Sequence, residues 1–127
     1  MLGAITLKRS QMADVVYFIT DMLFSSKLRE AAKATGVTVQ PAREPVAFAA
    51  AAREAKLAIV DLRLPAALAA LEALGGAVRT VGFIDHEKTD VMDAARALGC
   101  SDVMAKGQFA NALPKLLASL VVSAPVV

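Results

Sequence analysis

Leu57-Ala58-Ile59-Val60-Asp61-Leu62-Arg63-Leu64-Pro65 is the stretch that decides the fold. Its first four residues form an unbroken apolar run that closes on an acid, and Pro65 then opens a new segment. A run with no polar alternation suits a strand covered on both faces, as in a parallel sheet. Working outward, further strand-like segments, some broken by a polar residue, occur at Val15–Ile19, Val37–Gln40, Val78–Ile84 and Val103–Ala105.

The segments between these runs carry helical spacing. Phe24, Leu28 and Ala31 follow i, i+4, i+7 before a stop at Gly36, and Pro45 opens an alanine-rich helix through Ala55. Leu68 and Leu71 share one face of a short helix that ends at Gly75-Gly76. Thr89 or Asp90 is placed to cap a helix striped by Val91, Ala94, Ala95 and Leu98. A last helix carries Phe109, Leu113, Leu116, Leu117 and Leu120, and Pro114 within it predicts a start near Asn111.

Five strands alternating with five helices predict one doubly wound α/β domain over residues 13–122, with an extension at 1–12 and a tail at 123–127. In such sheets function gathers beyond the carboxyl ends of the strands. The residues there are Thr20-Asp21, Asp61, Asp85-His86 and Lys106.

Ile59-Val-Asp-Leu-Arg-Leu-Pro65 resembles the phospho-acceptor motif of response-regulator receiver domains, with Asp61 and Pro65 in the matching places. Asp90 through Lys106 is similar to the receiver pattern of a helix, a glycine, a fifth strand and a lysine, and Phe109 resembles the aromatic that follows that lysine. The resemblance spans about Val15 to Leu120. It implies a flavodoxin-like (βα)5 fold with strand order 2-1-3-4-5. It also implies that Asp61 is the phospho-acceptor, Asp21 and Asp61 are magnesium ligands, and Lys106 is the cation that pairs with phosphate oxygens.

The sequence departs from the receiver pattern where charge matters most. Thr20 stands where a second acid is usual, and Mg²⁺ is held chiefly by carboxylates and water, so its binding is expected to be weak or absent. Ile84 or Asp85 takes the place of the switch hydroxyl, and Val103 that of the switch aromatic. An acid at Asp85 opposes rather than stabilises a phosphoryl group. Two plainer roles compete with the receiver assignments: Asp21 as the cap of the first helix, and Lys106 as a structural ion-pair partner of Asp61.

The resemblance and its departures predict a degenerate pseudo-receiver that is not an enzyme and acts by binding a protein, a histidine kinase or another signalling protein, or a second copy of itself. Arg96, Met104 and Lys115 mark the expected docking face. A working single-domain regulator and a small-ligand-binding flavodoxin-like domain are the rival readings.

Composition narrows the rest. The 127 residues are 57% hydrophobic with net charge +2, and mean hydropathy is +0.55. Charges such as Arg53, Glu54, Lys56, Asp61 and Arg63 interrupt every apolar stretch before it reaches membrane-spanning length. The basic residues are scattered, with no aromatic partners to stack on bases, so no nucleic-acid partner is expected. A single cysteine, Cys100, excludes an internal disulfide and fits a reducing cytoplasm, and with the lone His86 it makes a poor zinc site.

Overall fold

The central strands carry the longest apolar runs because both of their faces are covered. In the computed structural model, which describes residues 12–121, they are β1 (Val15–Phe18), β3 (Leu57–Asp61) and β4 (Thr80–Ile84), buried throughout. The shorter β2 (Val39–Pro41) and β5 (Asp102–Ala105) form the edges and are more exposed. All neighbours pair in parallel in the order β2-β1-β3-β4-β5, as the alternation of elements predicts.

Alternate residues of each strand feed two cores. Val15, Tyr17, Ile59, Val81 and Phe83 face α1 (Met22–Thr35) and α5 (Lys106–Ala118), which cover them with Phe24, Leu28, Phe109, Leu113 and Leu117. Val16, Phe18, Ala58 and Val60 face the other way. They meet Phe48 of α2 (Pro45–Ala52), Leu71 and Leu74 of α3 (Ala67–Leu74) and Ala95 of α4 (Thr89–Ala97). Each fully buried leucine, isoleucine or phenylalanine contributes about 1.5–3 kcal/mol relative to an exposed one, so these two layers dominate stability.

Several element ends differ from the sequence reading. Val37 precedes β2 because its N–H donates to the Ala32 carbonyl at 3.0 Å, closing α1 around Gly36 at φ +78°. β4 starts at Thr80 and not at Val78, and α2 stops at Ala52 and not at Ala55. Neither Thr89 nor Asp90 caps α4: Lys88 holds the cap position without a side-chain bond, and Asp90 lies in the first turn, toward the positive end of the helix dipole.

The largest correction concerns α5, which begins at Lys106 and so encloses Pro114. Phe109 and Leu113, both buried against β4, hold the first turns in place. Pro114 lies on the exposed side of the helix, and it leaves the Ala110 carbonyl without its helical N–H partner. The extension and tail fall outside the described residues, apart from residue 12.

Candidate functional site

The strand ends assemble one cluster of charge. Asp21, just beyond β1, caps α1 by accepting from the Phe24 N–H at 3.0 Å through Oδ1. Asp61 ends β3 in register with Phe83 of β4, and its side chain is only 2% exposed. The chain then turns sharply, with the Leu64 N–H donating back to the Asp61 carbonyl at 3.2 Å.

That turn delivers Arg63 onto the carboxylate. The Arg63 main-chain N–H and Nε both donate to Asp61 Oδ1, at 3.0 and 2.9 Å, while Nη2 donates to Asp61 Oδ2 at 2.8 Å. Nη2 also reaches Asp21 Oδ2 at 3.2 Å, so one guanidinium bridges the ends of β1 and β3. This fork places two parallel bonds on one carboxylate, the strongest geometry available to such a pair. Its face rests on aromatic carbon: the guanidinium carbon lies 5.3 Å from the Phe24 centroid and 5.7 Å from that of Phe83. Phe83 in turn stacks on both Phe24 and Phe109, with centroids 4.8 and 4.4 Å away, in a three-ring cluster.

The electrostatics follow from these bonds. Hydrogen bonding to Asp61 pushes Arg63 above its already high value, so it stays charged. The Phe24 N–H, and then the Arg63 guanidinium, hold Asp21 below its ordinary 3.8. A carboxyl whose folded value is depressed contributes stability that is full above 3.8 and is lost as pH falls through the lower folded value. The melting temperature of the wild type should therefore fall more steeply below pH 3.8 than that of Asp21→Asn, which keeps a cap without the titration. Parallel acid profiles would show that the Asp21 contacts are energetically silent.

Lys106 corrects the sequence reading. It pairs with Asp85 Oδ1 at 2.8 Å, not with Asp61. β4 separates β3 from β5, and the acid after β4 is the nearer partner. The bond to Lys106 holds Asp85 below the ordinary carboxyl range. Of the switch positions, Thr20 is exposed, Ile84 is buried and Val103 is half-buried against the second core. Of the docking-face residues, Arg96 is exposed and pairs with Asp93 at 3.0 Å, Met104 packs on the first core, and Lys115 is exposed on α5.

The donor set does not fit the magnesium that the fold suggests. Asp21 and Asp61 share a fixed cation, and among the described residues no group of three or more His, Cys, Asp or Glu is placed to hold a metal. Two like unit charges about 4 Å apart near a protein surface repel by about 4 kcal/mol, so Arg63 as placed competes with a divalent ion for the two acids. Cys100 stands apart, buried beneath Thr80 and Asp102, and burial pushes its thiol up to about 11, which keeps it protonated and unreactive.

Neither protein-family models nor curated protein sequences match this chain. Solved structures do. The chemotaxis response regulator CheY4 of Vibrio cholerae superposes with a TM-score of 0.67 at 16% identity, over 87% of this chain and 100% of that one. The chain has the receiver fold. A response-regulator receiver domain from Rhodospirillum rubrum (TM-score 0.61, 15% identity, 85% and 93% covered) shares it. So does the signal receiver domain of a histidine kinase from Syntrophus aciditrophicus (0.63, 15%, 91% and 96%). Asp21, Asp61 and Lys106 lie at or just beyond the carboxyl ends of β1, β3 and β5. Sequence reasoning missed Arg63 as the residue that joins the two acids. The available signal was a cation two residues after the acid, within reach of a turn.

Proposed function

We propose that this domain is a pseudo-receiver, a signal-transduction or scaffolding module that acts by binding another protein and does not use the phosphorylation chemistry typical of the fold. The observation that carries this reading is the Arg63 fork. It engages both oxygens of Asp61 and reaches Asp21, the two acids that would hold a metal. Phosphoryl transfer to a carboxylate needs a free attacking oxygen and a cation that offsets the charge of the incoming phosphate. Arg63 supplies charge, but its fork engages the very oxygens that would attack. Lys106, the second cation expected to serve there, is taken up by Asp85.

Two rival readings have less support. A working regulator would need Arg63 to leave, giving up a charge-assisted pair with a buried carboxylate. A small-ligand binder would need an open crevice at the strand ends, where Arg63 now sits over Phe24 and Phe83. For the protein-binding role, the exposed Arg96 and Lys115 near β5 remain the proposed docking face, with a histidine kinase or another signalling protein as partner.

Intact mass after incubation with a small phosphodonor and Mg²⁺ tests the reading. The wild type is expected to gain no phosphoryl group, while a catalytically ordinary receiver in the same tube gains one. A stoichiometric adduct that disappears in Asp61→Asn would overturn it in favour of a working regulator.

A further inference from the structure

Val81 and Phe83 of β4 face the first core, so Gly82 between them faces the second, the layer that its ladder partner Val60 also enters. Glycine leaves that position without a side chain, and Leu62 fills the space. A Cβ at residue 82 would stand 2.9 Å from Leu62 Cδ1, 3.0 Å from Leu62 Cγ and 3.2 Å from Cys100 Sγ, all closer than ordinary packing allows. The backbone there is extended strand without a positive φ, so what glycine provides is room. Cys100 forms the far wall of the notch, its Sγ held against the Thr80 and Asp102 carbonyls at 3.6 and 3.3 Å.

Leu62 is the residue between Asp61 and Arg63. It is buried, and its N–H donates to the Phe83 carbonyl at 2.9 Å, so β4 holds it by main chain and side chain together. We propose that Gly82 is a positioning residue for the arginine fork: the notch it leaves seats Leu62, and the seated Leu62 steadies the Asp61–Leu64 turn so that Arg63 stays closed over Asp61 and Asp21. The inference rests on the pseudo-receiver reading for its meaning, since a fork that seldom opens leaves the two acids no interval in which to take up a metal or a phosphoryl group. The bonds from Arg63 to Asp61 decide where the guanidinium goes, and the notch decides how firmly it is kept there. A methyl group at residue 82 displaces Leu62 toward the turn, because a close-packed core offers no spare volume on the other sides. The displaced residue is bonded directly to the arginine.

Solvent exchange of the Arg63 Nε–H, followed by NMR on the folded protein, reads the fork directly. Gly82→Ala is expected to speed that exchange by about tenfold or more, because each local opening releases the proton from Asp61 Oδ1. Leu62→Val lacks the clashing Cδ1 but sits loosely in the notch, so it should speed exchange less. Gly82→Ala/Leu62→Val should return the rate close to that of the wild type, since the added methyl fills the room that valine gives up. Leu71→Val removes the same amount of carbon from the same core away from the turn and should leave the rate unchanged. If Gly82→Ala does not fold, the double variant against Leu62→Val alone carries the same comparison. A rate indifferent to Gly82→Ala, a double variant no slower than Leu62→Val, or equal acceleration by Leu71→Val would each overturn the proposal. A phosphoryl adduct on the wild type would instead sink the pseudo-receiver reading and leave these rates standing, so the two failures are distinct.

Discussion

Arg63→Ala is expected to give this domain a larger Mg²⁺ response than the wild type shows. The substitution removes the only side-chain partner, among the described residues, of a carboxylate that is 2% exposed, which should cost about 1–3 kcal/mol at neutral pH. The lower end is favoured by geometry, since Arg63 itself is 29% exposed and water can partly replace it. Asp61 and Asp21 are then left facing one another with no cation between them. Mg²⁺ at one hundred times its dissociation constant would return about 2.7 kcal/mol, a rise of several degrees in melting temperature for a domain of this size. The wild type should show little or no rise under the same titration. Thr20→Asp is the informative control. It adds the missing acid but leaves Arg63 in place, so it should increase the Mg²⁺ response far less than removing the arginine does. Equal Mg²⁺ stabilisation of the wild type and Arg63→Ala would show that the guanidinium is no obstacle.

Phe83→Ala should give the largest single loss of stability near the site, about 3–5 kcal/mol, the usual range for deleting a buried phenylalanine. Phe83 is fully buried, opposite Asp61 in the β3–β4 ladder, and stacked on both Phe24 and Phe109. Its removal opens a cavity directly beneath the Arg63 guanidinium. The two residues are therefore expected to couple. In a cycle of Phe83→Leu, Arg63→Ala and the double variant, measured by denaturant unfolding, the effects should fall short of additivity by about 0.5 kcal/mol or more. Leucine fills most of the space while removing the aromatic face, so it separates loss of the cation–π contact from loss of volume. Strict additivity would mean that the ring supports the fold but not the arginine.

The parallel sheet and its strand order were legible because the apolar runs are continuous at β1, β3 and β4, and right-handed crossovers leave few other ways to join them. Element ends were less legible. Pro114 argues locally for a helix that starts late, yet the burial of Phe109 and Leu113 outweighs it. At the site, the acids could be placed because strand ends are fixed by the sheet, but the pairing of cations could not. Lys106 and Arg63 are both long enough to reach more than one acid, and only three-dimensional distance assigns Lys106 to Asp85 and Arg63 to Asp61.

The acid and its guanidinium lie two residues apart in the chain, whereas Asp21 joins them across 42 positions. Acid and counter-charge thus form a self-contained cassette, Asp61-Leu62-Arg63, whose members are neighbours even before the chain folds. Freeing or occupying the two acids then lies one substitution away, at Arg63. The same cassette should be portable: an arginine placed two residues after the acceptor acid of a metal-binding receiver should shut that pocket without remodelling its fold.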